Sequence, residues 1–94
     1  MIITLQEAKD VLRLSTDDNN DIITAMILTI PSYIETATGS KSVAGSYTAL
    51  EQQVAKFILM QWYDPASENN ERISKVINTL LTAITVNVNK NNKN

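Results

Sequence analysis

The chain has no histidine and no cysteine among its 94 residues. Histidine is the commonest general base, and histidine and cysteine are the usual zinc ligands, so catalysis of that kind, thiol chemistry and structural zinc are excluded. Disulfide bonds are excluded as well. The two glycines, Gly39 and Gly45, are too few for a loop that cradles phosphate. We therefore expect no enzyme activity, no metal and no cofactor.

Charge is also scarce. The chain carries 8 basic and 10 acidic residues, a formal net charge of −2. The lysines and arginines are spread singly, so they form no stripe that would follow a nucleic-acid backbone. No run approaches the roughly 20 apolar residues of a membrane span, and the first residues lack the regions of a signal peptide. We expect one small soluble domain that is not secreted and has no membrane partner.

What the chain does have is apolar residues at steps of three and four, which is typical of helices that bury one face. On the second predicted helix they are Ile22, Ile23, Met26, Ile27, Ile30, Ile34 and Ala37, and on the fourth they are Ile73, Val76, Ile77, Leu80, Leu81 and Ile84. Thr4 with Glu7, and Thr48 with Glu51, match the capping box that starts a helix. We predict an all-α bundle of about four helices, at residues 5–13, 18–38, 48–63 and 70–84.

The second predicted helix has a proline in its interior. We expect Asp17 or Asp18 to cap its start and Gly39 to end it. Pro31 removes one backbone hydrogen bond and crowds the preceding turn. The helix is therefore expected to kink at Pro31 or to divide there into two pieces.

The sequence changes character after residue 84. Residues 85–89 alternate polar and β-branched residues, which is typical of a short strand, and the last five residues are asparagine and lysine only. We predict a helical domain at residues 1–84 followed by a polar tail at residues 85–94, extended or bound to a partner. No internal repeat is apparent.

The third predicted helix is apolar on two sides. One stripe contains Leu50, Val54, Phe57, Ile58 and Gln61, and a second contains Leu59, Met60, Trp62 and Tyr63. A helix at the surface of a small monomer needs only one apolar face. Trp62 and Tyr63 therefore either complete the core or anchor a contact between subunits.

Three stretches form a further pattern. The first helix opens with ITLQEA at residues 3–8 and is followed by the acidic connector DDNND. The second helix ends in YIETATG, and the third ends in Trp62 and Tyr63. In this combination the chain resembles the phage head–tail connector (adaptor) family over about residues 2–81. It departs from the family at Pro31, where a small helix former is usual, and in its own asparagine-rich tail.

The resemblance implies a structural protein of the virion, assembled in the host cytoplasm as part of the phage neck. Such a protein forms a ring of about 12 subunits under the portal protein, extends the DNA channel and docks the next head-completion or tail protein. Duplex DNA passes through the ring without specific binding. We expect the contacts with neighbouring subunits or the portal to come from Phe57, Met60, Trp62, Tyr63, Thr85, Val86, Asn87, Val88 and Asn89. The alternative is a small helical regulatory or DNA-binding domain.

Overall fold

The computed structural model describes residues 1–41 and 46–91. Within these ranges the chain forms four helices: α1 (Leu5–Leu12), α2 (Asn20–Thr38), α3 (Ala49–Tyr63) and α4 (Asn70–Asn91). The all-α class and the four-helix bundle are thus confirmed. Residues 42–45, between the second and third predicted helices, and residues 92–94 of the predicted tail lie outside the described residues.

The two middle helices hold the bundle together. Each of α2 and α3 packs against all three other helices, whereas α1 and α4 do not pack along each other within the described ranges. Asn19 Nδ2 donates to Tyr63 Oη at 2.8 Å, and Ser40 Oγ donates to Glu51 Oε2 at 3.3 Å. These bonds join opposite ends of α2 and α3, so the two helices run antiparallel. Gln61 donates to Ser74 in the same way, so α4 runs antiparallel to α3 and parallel to α2.

The core is built mainly from isoleucine. Burying each such side chain stabilises the fold by about 1.5–3 kcal/mol. Ile2 and Ile3, which precede α1, belong to this core, and Gln52 Nε2 on α3 donates to the Ile2 carbonyl oxygen at 3.4 Å. The core side chains, all at most 8% exposed, are Ile2, Ile3, Ala8, Ile23, Ile27, Ile30, Ile34, Val54, Ala55, Ile58, Leu59, Ile73, Ile77 and Ile84.

Both predicted capping boxes are present. The Thr4 hydroxyl accepts from the Glu7 amide and the Glu7 carboxylate accepts from the Thr4 amide, each at 3.0 Å. Thr48 and Glu51 repeat this exchange at the start of α3. Each box satisfies two amides that the first helical turn leaves without partners.

The predicted ends of the first two helices need correction. α1 ends one residue early, because Arg13 adopts the left-handed conformation with φ 58°. α2 begins at Asn20, and its capping residue is Asn19, whose side chain makes no capping bond. The expectation that Asp17 or Asp18 caps α2 is wrong. The Asp17 carboxylate instead forms an ion pair with Lys9 on α1.

Pro31 lies within one continuous helix, so α2 does not divide into two pieces. A kink at this residue stays a prediction.

The extended tail predicted from residue 85 is wrong as far as residue 91, because α4 continues to Asn91. The core stripe of α4 extends at the same helical spacing from Ile84 to Val88, which packs against the core. The Thr85 hydroxyl donates to the Leu81 carbonyl oxygen at 2.8 Å, a bond within the helix. Burial at helical spacing therefore outweighs the strand preference of these β-branched residues.

The described chain consists of two successive helix pairs, α1–α2 and α3–α4, called hairpins below, and the second helices of the two pairs are alike. α2 and α4 each begin at an acid-Asn-Asn-acid segment, residues 18–21 and 68–71. Asn20 and Asn70 hold equivalent positions, each with a side-chain oxygen that is buried and has no hydrogen-bond partner. The buried faces correspond as well, because Ile23, Ile27 and Ile34 have counterparts fifty residues later in Ile73, Ile77 and Ile84.

The expectation of no internal repeat is wrong for α2 and α4, whose sequences match at a spacing of fifty residues. α1 has 8 residues and α3 has 15, so the spacing between the hairpins is not constant. The capping threonines Thr4 and Thr48 are 44 residues apart, whereas Asn20 and Asn70 are 50 apart. The spacing of fifty residues therefore holds for α2 and α4 and not for α1 and α3.

Candidate assembly surfaces

The described residues hold no group of three or more acidic side chains that could bind a metal ion. In residues 1–41 and 46–91 no helix is both long enough and apolar enough to cross a membrane. The candidate functional features of these residues are therefore exposed apolar side chains, cavities and charged groups.

Trp62 is half-buried at the end of α3. Its ring packs edge-on against Tyr33 of α2, with ring centroids 5.5 Å apart and an interplanar angle of 80°. Tyr33 is 42% exposed, so this aromatic pair reaches the surface of the bundle. An edge-to-face pair adds about 0.5–1.5 kcal/mol beyond the area it buries. Trp62 therefore contributes to the fold and remains partly accessible to a partner.

Met60 and Tyr63 line a cavity of about 290 Å³ where the ends of α1 and α3 meet the start of α4. The remaining lining residues are Leu12, Asp64, Ser67 and Ile73. The Tyr63 hydroxyl accepts the bond from Asn19, which fixes its ring at one wall. The lining is mainly apolar, with one carboxylate at Asp64.

The remaining predicted interface residues fall into packed and exposed groups. Phe57 and Val88 are partly buried against the core, and Thr85 is half-buried. Val86 is 59% exposed, and Asn87 and Asn89 are exposed.

The predicted interface residues do not form one surface. Met60, Trp62 and Tyr63 lie at the end of α3, beside the start of α4. Residues 85–89 lie at the far end of α4, beside Gly39 and Leu50. The structure thus separates the predicted set into two patches at opposite ends of the bundle.

Ile22, Val76 and Leu50 were predicted on the apolar stripes of their helices but are 55%, 38% and 39% exposed, because Ile23, Ile77 and Glu51 beside them are buried instead. Sequence reasoning also missed Leu28, which is 62% exposed. Leu28 lies seven residues from both Asp21 and Glu35, so the three share one line along α2. A leucine on the same helical line as two acidic residues was the available signal that it faces solvent.

Two carboxyl groups are held in their charged form. The hydrogen bond from Lys9 is the main cause that lowers the pKa of Asp17 below its usual value, and a hydrogen bond with the Asn20 side chain lowers it further. The backbone and hydroxyl bonds of Thr4 lower the pKa of Glu7 in the capping box. Both are features of helix ends and connectors, which suits a structural role for these groups.

Comparison with known proteins adds no relative, because no family model, no curated protein and no solved structure matches the chain. The class that the structure defines is a small all-α bundle. A functional interpretation therefore draws on the residues and surfaces described above.

Proposed function

We propose that this protein is a structural head–tail connector (adaptor) of a tailed phage. It forms a ring under the portal, extends the DNA channel and docks the next neck or tail protein. It catalyses no reaction and needs no cofactor. Its place is the neck of the virion, after assembly in the host cytoplasm.

The class of function comes from the resemblance of residues 3–8, the acidic connector, the YIETATG segment and the Trp62–Tyr63 helix end to the connector family. The all-α bundle agrees with the fold that this family implies.

The observation that carries the proposal is the presence of exposed apolar side chains on two different helices. Leu28 of α2 is 62% exposed and Val86 of α4 is 59% exposed. In a ring of identical subunits each contact joins two different patches of the same chain, and the two patches must be complementary. Leu28 and Val86 supply one exposed apolar side chain for each of two such patches, on separate helices.

The charge of the subunit also supports a conduit. The formal net charge is −2, and the basic residues are dispersed. A wall with this charge does not hold the phosphate backbone of passing DNA.

The test combines the purified protein with the portal protein encoded in the same genome. We expect electron microscopy to show a ring of this protein stacked on one end of the portal. Mass measurement of the complex gives the number of copies. A portal that stays bare at high concentrations of both proteins contradicts the proposal.

The same preparation tests the regulatory or DNA-binding alternative. A DNA-binding domain would bind short duplex DNA with an affinity that falls steeply as salt rises. A connector subunit leaves the DNA unbound at physiological salt. A mass corresponding to a monomer in the absence of portal is compatible with the connector, since the portal can template the ring.

A further inference from the structure

α2 and α4 each carry a line of exposed residues with no charge at its centre and charges at both ends. On α2 this line is Asp21, Ala25, Leu28, Ser32 and Glu35, which we call the α2 seam. On α4 it is Arg72, Val76, Thr79, Ala83, Val86 and Lys90, which we call the α4 seam. All of these residues are exposed.

Both seams have the spacing of a helix–helix contact. Their residues follow one another at alternating steps of four and three, the repeat by which one helix packs along another. The α2 seam has Leu28 at its centre, between the small residues Ala25 and Ser32. The α4 seam has Thr79 and Ala83 at its centre, a surface low enough to receive a leucine side chain.

The charges at the ends of the two seams are opposite. The α2 seam begins and ends with a carboxylate, Asp21 and Glu35, about 21 Å apart at 1.5 Å per residue. The α4 seam begins and ends with a cation, Arg72 and Lys90, about 27 Å apart by the same measure. Lys75 lies about one helical turn after Arg72. The long side chains of these basic residues can reach towards the carboxylates of the shorter α2 seam. Because each seam has the same sign at both ends, the charges match in either relative direction.

Two of these charges are not explained by the stability of their own helices. Glu35 lies in the last turn of α2, and Arg72 lies in the first turn of α4. The helix dipole disfavours an anion at the end of a helix and a cation at its beginning. Within the described ranges, the one ion pair is Lys9 with Asp17, so neither residue has an ion-pair partner there.

We infer that the α2 seam of one copy packs against the α4 seam of a second copy, with Leu28 seated between Thr79 and Ala83. The contact joins two different patches, so it is of the kind that closes a ring. The inference deepens the proposed function, on which its ring form rests, by naming the surfaces between subunits. A single helix pair buries little compared with the roughly 1,200–2,000 Å² of a stable interface, so two free subunits associate weakly.

Cysteine cross-linking tests this contact without background, because the chain has no cysteine of its own. One preparation carries Leu28→Cys and the other carries Ala83→Cys. We expect oxidation of the mixture at high protein concentration to give a cross-linked dimer of one copy of each. The matched controls are Thr36→Cys and Asn78→Cys, which lie at exposed positions of α2 and α4 away from the seams. An equal yield from the control mixture overturns the inference.

Charge reversal provides a second test. Asp21→Lys with Glu35→Lys gives a subunit with two basic seams, and Arg72→Glu with Lys90→Glu gives one with two acidic seams. Each charge-reversed variant alone should give on the order of tenfold less cross-linked dimer, because its two seams then carry the same charge. An equal mixture of the two variants should restore the yield. In each variant the two reversals lie at opposite helix ends, so their effects on the helix dipole offset, and circular dichroism checks that the fold is kept. Variants that cross-link as well alone as mixed overturn the inference.

The outcomes separate this inference from the proposed function. Rings on the portal that survive both reversals leave the connector role intact and overturn the seam contact. Mixed-seam cross-linking without any ring on the portal supports the seam contact and contradicts the connector role. If each subunit of a dimer uses both of its seams to bind the other subunit, the measured mass stops at two subunits. The ring form of the inference then fails.

Discussion

At the scale of single residues, two positions in the part of the chain that the structure describes adopt the left-handed conformation, and only one of them is glycine. Gly39 ends α2 with φ 80°, and Arg13 ends α1 with φ 58°. In this conformation a side chain crowds the following carbonyl group, which costs about 1 kcal/mol for a residue other than glycine. The two positions therefore predict opposite effects of exchanging glycine with another residue.

We expect Arg13→Gly to raise the free energy of unfolding by about 0.5–1 kcal/mol and Gly39→Ala to lower it by about 1 kcal/mol. At Gly39 the cost is conformational, because an added Cβ would meet Val88 Cγ1 at an ordinary 3.9 Å. Urea denaturation measures both. Arg13→Ala is the control, since it removes the arginine charge and keeps the conformational cost. If Arg13→Gly is no more stable than Arg13→Ala, the argument fails.

The pair between Lys9 and Asp17 predicts a dependence on pH. Lys9 is 9% exposed, and its ammonium group has the Asp17 carboxylate as its partner. The Lys9 hydrogen bond lowers the pKa of Asp17 in the folded chain. The stabilisation is therefore complete above the unfolded pKa, about 3.9, and is lost as pH falls through the lower folded pKa.

We expect Asp17→Asn to melt at a lower temperature than the natural chain at pH 7, and the difference to disappear in strong acid. Thermal unfolding of both proteins between pH 7 and pH 2 measures it. Asp18→Asn, at the neighbouring exposed position, should melt like the natural chain at every pH. A gap between Asp17→Asn and the natural chain that is constant over the whole range would show that the charge is not its cause.

At the scale of elements, α4 shows where sequence reasoning succeeds and where it fails. The start of the helix and the buried positions Ile73, Ile77 and Ile84 follow from local spacing and were predicted, whereas Val76 of the same predicted stripe is 38% exposed. Its end was not, because Val88 is held by packing against the core near Gly39, a residue 49 positions earlier. Locally, Val88 fits both the helical step of four from Ile84 and the strand-like alternation of residues 85–89, and its packing against the core decides between them.

The last turns of α4 should therefore behave as part of the fold. We expect Val88→Ser to lower the free energy of unfolding by about 1–2 kcal/mol, because it removes a packed side chain. Val86→Ser makes the same chemical change at a site that is 59% exposed, and should alter stability by less than about 0.5 kcal/mol. Urea denaturation of the two variants gives the comparison. Equal stabilities would mean that residues beyond Ile84 are a tail after all.

The start of α2 makes the same point about distant partners. An acidic residue before an apolar stripe is a sound local signal for a helix cap, and it led to Asp17 or Asp18. The Asp17 carboxylate is paired with Lys9 on α1 and does not cap α2, which begins at Asn20. The capping boxes at Thr4 and Thr48 were predicted correctly because both partners lie within one turn.

At the scale of the whole molecule, the candidate surfaces could be predicted only in part. Trp62 and Tyr63 stand out by residue type, and the structure leaves both partly exposed. Leu28 does not stand out by residue type, because Ile27 beside it is equally apolar and is fully buried. Its place on one helical line with Asp21 and Glu35 was the local sign that it faces solvent. Residue type identifies candidates, whereas exposure depends on how the two hairpins pack.

That packing joins the hairpins into one core. α2 presents four isoleucines, each at most 1% exposed, and the second hairpin supplies α3 and α4 to cover them. Without the second hairpin, α2 has only the 8-residue α1 beside it. A fragment of about 40 residues rarely buries enough apolar surface to fold alone. The two hairpins should therefore fold only together.

We expect a fragment of residues 1–41 to be largely unfolded by circular dichroism. Mixing it with a fragment of residues 46–94 should give more helical signal than the sum of the two, because the isoleucine face of α2 then finds its partner. Replacing Ile27 by Asp in the first fragment should abolish this gain, since the side chain is fully buried in the intact chain. Replacing Leu28 by Asp should leave the gain in place, because Leu28 is 62% exposed. If residues 1–41 are fully helical alone, or if both variants lose the gain alike, the core does not join the hairpins through this face of α2.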